Sequence, residues 1–498
     1  MTKIIIKFDL GHLQYYSYLR TMILNLEDTI AAPATIPGTG AITIIRISGP
    51  DTFKAVDRIV EFTSGDASSA KGYTIKYGTI KDKDGSPLDD VLVSIFRSPH
   101  SYTGEDSAEI SCHASPYIAS RIMEILLDNG VRAAAPGEFT RRAFVGGKMD
   151  LAQAESVADL IASQGEASHR IAMNQLRGGF SKELLQMRSE LLDAASLMEL
   201  ELDFSEEDVE FANREKLLSL LGSIIAHLDR LISSFRKGNA IRNGIPVAIV
   251  GPANAGKSTL LNSLLGEERA IVSEIEGTTR DTIEETINFD GILLRFIDTA
   301  GIRSTDESIE KLGIERTFKK ISEADMVICM LDSSLPYSSF IEVVDTIIDK
   351  TDYEYQKVIF LLNKIDKIAN NKNVNEFNNF VSYIENHTRK YINKVDCLEI
   401  SAKEGIGIKK LSSIISDYCK SIASESSGTL VTNLRHLQAL TASKASLLTV
   451  REGIESDLST ELVAEDLRES IRHLSEITEP ISDWELLGNI FSRFCVGK

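Results

Sequence analysis

The residue types best suited to chemistry are concentrated in PVAIVGPANAGKSTLLNSLL (246–265), where Gly251 and Gly256 bracket four residues and Lys257 and Ser258 follow. This GxxxxGK[ST] spacing, between an apolar strand and a helix, wraps backbone N–H groups of a glycine loop and a helix N-terminus around phosphate oxygens. Lys257 then neutralises charge on the β- and γ-phosphates, and the Ser258 hydroxyl ligates Mg²⁺. Asn254, Ala255, Gly256 and Thr259 complete the contacts of this loop. GTTRD (277–281) offers Thr279 as a second Mg²⁺ ligand, from a switch loop running through Ser273, Glu274, Ile275, Glu276, Gly277 and Thr278. LLRFIDTAG (293–301) reads as a strand ending in Asp298, which suits the metal's water shell; Thr299 and Ala300 lead to Gly301, placed for the γ-phosphate.

The base would be read further on. VIFLLNKID (358–366) ends a strand with Asn363, Lys364 and Asp366. A carboxylate at Asp366 can accept two hydrogen bonds, from N1–H and the exocyclic amine of guanine. Adenine cannot supply that pair, and a buried acceptor left unpaired is costly. CLEISAK (397–403) contributes Ser401, Ala402 and Lys403 to a loop closing over the base. Five pieces in this order imply that GTP, not ATP, is bound and hydrolysed.

Many small GTPases orient the attacking water with a Gln directly after DTAG. That position is Ile302, which cannot hydrogen-bond water, while the segment beyond it is rich in carboxylates: Asp306, Glu307, Glu310 and Glu315. Arg280 and Arg303 read as loop cations rather than as an arginine finger. Asn254 reads either as a turn former or as a carboxamide that helps hold a monovalent cation at the phosphates.

The elements that must position these groups fall into three textures. Residues 25–147 are short and β-rich: AITIIRISG (41–49) and LDDVLVSIF (88–96) read as strands, and ASRIMEILLDNG (119–130) as a helix stopped by Gly130. Residues 148–243 carry long amphipathic runs, LAQAESVADLIASQGEASHRIAMNQL and LLQMRSELLDAASLMELELDF, with apolar residues at helical spacing. Strands and helices alternate through 244–422, the texture of a parallel sheet, and helices return over 423–498. The chain is therefore expected to be multidomain: an α+β N-terminal domain, an all-α helical domain discontinuous in sequence, and an α/β Ras-like P-loop GTPase domain inserted into it.

A length of 498 residues fits two or three folding units. The net charge of −19 argues against a general nucleic-acid binder, so any RNA contact must use a local basic patch or a partner. No run of eighteen apolar residues predicts a spanning helix, and the first twenty residues resemble neither a secretory signal nor a transit peptide. Five scattered cysteines without metal spacing suggest reduced thiols and a cytoplasmic location.

At this point the chain resembles the MnmE (TrmE) family of tRNA-modifying GTPases, from about Leu26 to Lys498. The resemblance rests on DTIAAPATIPGTGAITIIRISG (28–49), SYTGEDSAEISCH (101–113), APGEFTRRAFVGGKMDLAQAESVADLI (135–161), DTAGIRSTDESIEKLGIER (298–316) and the terminal FCVGK (494–498). It leaves residues 1–24 as an extension or disordered tail. It implies an N-terminal domain that dimerises and binds a 5-formyl- or methylene-tetrahydrofolate through Arg46, Glu109, Lys148 and Lys498, with Cys495 as candidate catalytic thiol. It implies K⁺ in place of an arginine finger, held by Asn254, Ser273, Ile275 and Thr278, and Glu310 as the group that orients water. The implied function is modification of tRNA at C5 of the wobble uridine, together with an FAD-dependent partner (MnmG, or GidA) in a heterotetramer, with no membrane. Ala253 where the family has Pro, Thr39 where a basic residue is common, and Val496 where Ile or Leu is usual depart from its pattern. The competing expectation is a GTP-dependent ribosome-assembly or signalling switch, which needs neither the folate-type motifs nor Cys495.

Overall fold

The computed structural model describes residues 28–203, 214–266, 270–272, 285–297, 321–367, 373–389, 394–424, 428–479, 490, 491, 494 and 497. They form two compact units: one of residues up to 158 with 175–191 and those from 471, the other of 159–174 and 192–470.

The first unit is built on a seven-stranded sheet of order β3-β4-β5-β6-β2-β1-β7. Its strands are β1 (Ile30–Pro33), β2 (Ile42–Ser48), β3 (Val60–Phe62), β4 (Thr74–Lys81), β5 (Pro87–Phe96), β6 (Ser107–His113) and β7 (Arg132–Ala133). Both strands expected from the sequence are present, as β2 and β5. Alternation sends Ile45 and Ile47 of β2, and Val91, Val93 and Ile95 of β5, into one core. Helices α1 (Thr52–Ile59) and α2 (Pro116–Asp128) cover that face with Phe53, Val56, Ile122 and Leu126. Helix α2 stops where expected, at Asn129 and Gly130, whose φ of +86° is a left-handed conformation that favours glycine.

A buried ion network ties the N-terminal motifs together. Arg142, on α3 (Glu138–Val145), is only 2% exposed. Its guanidinium donates to Asp28 Oδ1 (2.6 Å) and Glu138 Oε1 (3.1 Å), and lies 3.3 Å from both Glu105 oxygens. Arg132 joins from β7 through Asp28 Oδ2 (2.6 Å) and Glu138 Oε1 (2.5 Å). Burial alone would push the Asp28 carboxyl up, but hydrogen bonds and charge from Arg132 and Arg142 outweigh it and hold it below its ordinary value. Glu138 behaves alike, its burial outweighed by Arg132, the Ala135 N–H and Arg142.

In the second unit the run expected as a single helix from 151 to 176 is two, α4 (Leu151–Ala162) and α5 (Glu166–Leu176), part of the run belonging to the first unit. The break lies at residues 163–165, and a Cβ on Gly165 would lie 2.0 Å from the carbonyl oxygen of Gly291. The β-hairpin turn at Gly291 therefore takes the space that a helix side chain would need. Helices α6 (Gly179–Asp203) and α7 (Arg214–Asn243) follow, and α7 ends at Gly244 (φ +86°), where the second sheet begins. By length and composition α7 could cross a membrane. Its Leu217, Leu221, Ile224, Leu228 and Leu231 are nonetheless buried, and it packs along α12 (Leu434–Glu455).

The second sheet has strands β8 (Ile245–Val250), β9 (Ala270–Val272), β10 (Glu285–Phe289), β11 (Ile292–Phe296), β12 (Met326–Asp332), β13 (Lys357–Asn363) and β14 (Val395–Glu399), in the order β14-β13-β12-β8-β11-β10-β9. From β14 to β11 it is parallel, and β10 and β9 add an antiparallel edge. Strands β12 and β13 are apolar almost throughout because helices cover both faces. One face packs on α8 (Lys257–Leu265) and α11 (Ile408–Ser424), the other on α9 (Ile341–Lys350) and α10 (Asn373–Thr388). The segments leading to and from this domain lie side by side: a Cβ on Gly238 of α7 would meet the Val431 carbonyl at 2.2 Å, and Arg242 reaches the Thr432 carbonyl at 3.3 Å. Adjacent ends are what an inserted domain requires. The last described helix is α13 (Thr460–Thr478).

Removing Arg142 takes a buried cation from three carboxylates, of which Asp28 and Glu138 keep only Arg132 as a cationic partner. Arg142→Ala is expected to cost about 3–5 kcal/mol in denaturant-induced unfolding, as other broken buried ion pairs do. Because Asp28 and Glu138 are depressed in the folded state, their contribution is full above the ordinary carboxyl pKa of about 4 and is lost as pH falls through the folded values. Wild-type stability should therefore decline below about pH 4, more steeply than that of Arg142→Ala. Equal stability of the two chains at neutral pH would contradict this reading.

Candidate functional site

The phosphate-binding segment follows β8 and leads into α8. Its turn depends on left-handed backbone at Gly251 (φ +141°), Asn254 (φ +63°) and Gly256 (φ +104°). Neighbouring atoms also exclude side chains there, since a Cβ on Gly251 would meet the Met330 carbonyl at 2.1 Å and one on Gly256 the Asn363 amide at 2.3 Å. Lys257 Nζ donates to the carbonyls of Gly251 and Pro252 at 2.8 Å each, which holds the ammonium over the loop. Ser258 and Thr259 occupy the first turn of α8, whose leading N–H groups have no acceptor within the helix. This glycine turn on a helix N-terminus fits a polyphosphate, and Ser258 at the helix start fits a Mg²⁺ ligand.

Asn363 holds the base side together. It is 3% exposed at the end of β13; its Nδ2 donates to the Ala255 carbonyl (2.8 Å) and its Oδ1 accepts from the Ala402 N–H (2.9 Å). One carboxamide thus joins the phosphate loop to the loop after β14, which Ser263 of α8 also grips through the Ala402 carbonyl (2.7 Å). Asp366 Oδ1 accepts from the Ser401 hydroxyl at 2.5 Å, and that bond is the main reason its carboxyl stays below the usual range. Asp366 is ionised at neutral pH and exposed. Lys364, in left-handed backbone (φ +72°), pairs with Asp332 at 2.6 Å. Lys403 is exposed and pairs with Glu404.

The structural roles of Asn363 and Asp332 are not legible from the motifs, although an acid ending the apolar run MVICMLD is a signal for the second. Ser273, Glu274, Ile275, Glu276, Gly277, Thr278, Thr279, Asp298, Thr299, Ala300, Gly301 and Glu310 lie outside the described residues, as do Cys495 and Lys498.

In the first unit the proposed folate contacts are partly brought together. Arg46 of β2 and Glu109 of β6 are opposite in register, and Glu109 Oε1 accepts from Arg46 Nε (2.9 Å) and Nη2 (2.8 Å). The Arg46 guanidinium lies 5.2 Å from the Tyr102 ring centre and 5.7 Å from that of Phe139, an aromatic cradle for a cation. Its Nη1 donates to the Gly497 carbonyl at 3.2 Å. Gly497 is in left-handed backbone (φ +97°), and a Cβ there would meet the Pro33 carbonyl at 2.2 Å. Lys148 instead donates to the Pro99 carbonyl (3.0 Å) and packs its stem over Gly104. The four described cysteines are poor nucleophiles. Burial pushes Cys112 up to about 11 and Cys397 and Cys419 up to about 12, and raises buried Cys329 as well.

A glycine-rich turn on a helix N-terminus, with Asn363, Lys364 and Asp366 at the same C-terminal end of the parallel strands, defines a P-loop GTPase. Residues 151–495 match the family described as MnmE helical domain, and residues 29–148 the one described as GTP-binding protein TrmE N-terminus. The chain is 46% identical over 480 residues to the tRNA modification GTPase MnmE of Christiangramia forsetii, covering 95% of this chain and 100% of that protein. It is 47% identical over 476 residues to that of Bacteroides fragilis (95% and 100% covered), and 48% over 476 residues to that of Flavobacterium johnsoniae (95% and 99%). It is also similar to the solved structure of Era with MgGDPNP and nucleotides 1506–1542 of 16S ribosomal RNA, at 29% identity over 40% of this chain and 66% of that one, with a TM-score of 0.24. The chain belongs to the MnmE family of tRNA modification GTPases.

Asn363→Ala leaves the Ala255 carbonyl and the Ala402 N–H without their partner in a buried site. The expected result is a loss of about 1–3 kcal/mol of stability and at least tenfold weaker binding of a fluorescent GDP analogue. Unchanged affinity would show that the two loops keep their places without it.

Proposed function

We propose that this chain hydrolyses GTP with potassium assistance and, with an FAD-dependent partner of the MnmG (GidA) kind, installs an aminomethyl-type group at C5 of the wobble uridine (U34) of certain tRNAs. The observation that carries the modification chemistry is the bond from Arg46 to Gly497. It brings Gly497 beside the Arg46–Glu109 pair, although the two positions stand about 450 residues apart in sequence. A GTP switch without chemistry would have no need of that convergence.

In this reading a bound 5-formyl- or methylene-tetrahydrofolate supplies the one-carbon unit. Arg46, Glu109, Lys148 and Lys498 hold it, the cations suiting its carboxylates and Glu109 keeping one carboxylate oxygen for the amino-pyrimidine edge. Cys495 is the remaining thiol for nucleophilic work, since burial raises the other four. In the GTPase domain, Lys257 and the N–H groups of the loop bind and orient the phosphates, and Ser258 and Thr279 hold Mg²⁺. Asn254, Ser273, Ile275 and Thr278 hold K⁺, which supplies the positive charge of an arginine finger. Glu310 orients the attacking water, the function Ile302 cannot perform. The protein acts in the cytoplasm as a homodimer within a heterotetramer. Its net charge of −19 is compatible with tRNA if much of the grip lies on the partner.

The GTPase rate measured in KCl is expected to exceed that in NaCl on the order of 10²-fold, the scale of one lost transition-state contact. Glu310→Ala should keep GDP binding and lose turnover by about 10² in saturating KCl. No cation preference, or unchanged turnover of the variant, would reject this part of the reading. For the modification step, nucleoside analysis of tRNA from cells whose only copy is Cys495→Ser should show an unmodified C5, while the purified variant hydrolyses GTP normally. Normal wobble uridines in those cells would reject Cys495.

A further inference from the structure

We propose that Asp332 is a positioning residue for guanine binding, acting by pinning the ammonium of Lys364 so that the lysine stem forms a prearranged wall of the base site. The proposal rests on reading residues 363–366 as the guanine site. Asp332 ends β12 directly opposite Asn363, the end of β13. Its Oδ2 takes the Lys364 Nζ at 2.6 Å, and both side chains are about one-fifth exposed (20% and 21%). Its other oxygen accepts from the Ser334 N–H (3.1 Å) and hydroxyl (2.6 Å), so the carboxylate is itself fixed. Ser333 laces the same strand ends together, its N–H and hydroxyl donating to the Asn363 carbonyl at 2.8 and 2.6 Å.

Lys364 is the long side chain between the carboxamide that joins the loops and the carboxylate that reads the base, and its left-handed backbone sets the direction in which it leaves the strand. A free lysine samples many rotamers and loses them when a ring packs on it. One held at its tip has lost them beforehand, so more of the contact remains as affinity. The ionised state of Asp332 suits this role: burial raises its carboxyl, but Lys364 and Ser334 outweigh burial and hold it below the ordinary value.

The test is binding of a fluorescent GDP analogue and steady-state GTP kinetics on the full chain in Mg²⁺ and KCl. The variants are Asp332→Ala, the isosteric Asp332→Asn, Lys364→Met and the double variant Asp332→Ala/Lys364→Met. Asp332→Ala is expected to weaken GDP binding and raise KM for GTP by about three- to tenfold, the value of one preordered side chain, with kcat at saturation kept. Asp332→Asn, which retains an acceptor, should fall between it and the wild type. In the Lys364→Met background, removal of Asp332 should add no further loss. Wild-type affinity in Asp332→Ala, a fall in kcat without a change in KM, or the same fold-loss in both backgrounds would overturn the proposal. Asp366→Asn separates it from the underlying reading. If that variant binds GTP as the wild type does, both fail; if it loses GTP while Asp332→Ala does not, only the positioning role fails.

Discussion

The buried carboxamide of Asn363 stands where three strand ends of the parallel sheet converge. Through Ala255 it holds the loop that follows β8 and through Ala402 the loop that follows β14, while the main-chain carbonyl of the same residue accepts from Ser333 at the end of β12. A buried amide must have both its donor and its acceptor satisfied, so neither loop can shift without leaving a polar group unpaired. The phosphate turn, the strand end that leads to Asp366 and the loop after β14 are thus tied together. Gly256 sharpens the constraint, because a side chain at that position would occupy the space of the Asn363 amide.

The first unit depends on charge in a comparable way. Arg142 is too buried to be stable without carboxylates, and the three it meets come from the three motifs around Asp28, Glu105 and Glu138. Read in line, those motifs carry the family resemblance. In the structure they first build the floor on which Arg46, Tyr102 and Phe139 are arranged. The terminus then adds to that arrangement at Gly497, where backbone meets backbone and only glycine fits.

Much of this was legible beforehand. The alternation of β2 and β5, the stop of α2 at Gly130 and the spacing of Gly251, Gly256 and Lys257 all follow from local rules: side-chain period, backbone freedom at glycine, and helix geometry. The family assignment needed only motif order. Other features were not legible because they depend on atoms distant in sequence. The run 151–176 has a helical pattern throughout, and nothing in it foretells that a hairpin turn at Gly291 will take the space beside Gly165. The Ser401 hydroxyl from which Asp366 accepts is likewise brought there by the fold and not by the motif.

By itself, then, the sequence determined the chemistry on offer: a phosphate turn, a guanine-reading carboxylate, a thiol near the end of the chain, and the elements that carry them. Only the tertiary structure decided which groups serve one another. Asn363 binds loops together, Asp332 answers Lys364, and Arg46 meets both Glu109 and Gly497. The physical reason is range. Periodicity and backbone preference act over a few residues, whereas hydrogen bonding and desolvation select partners by position in space, without regard to separation along the chain.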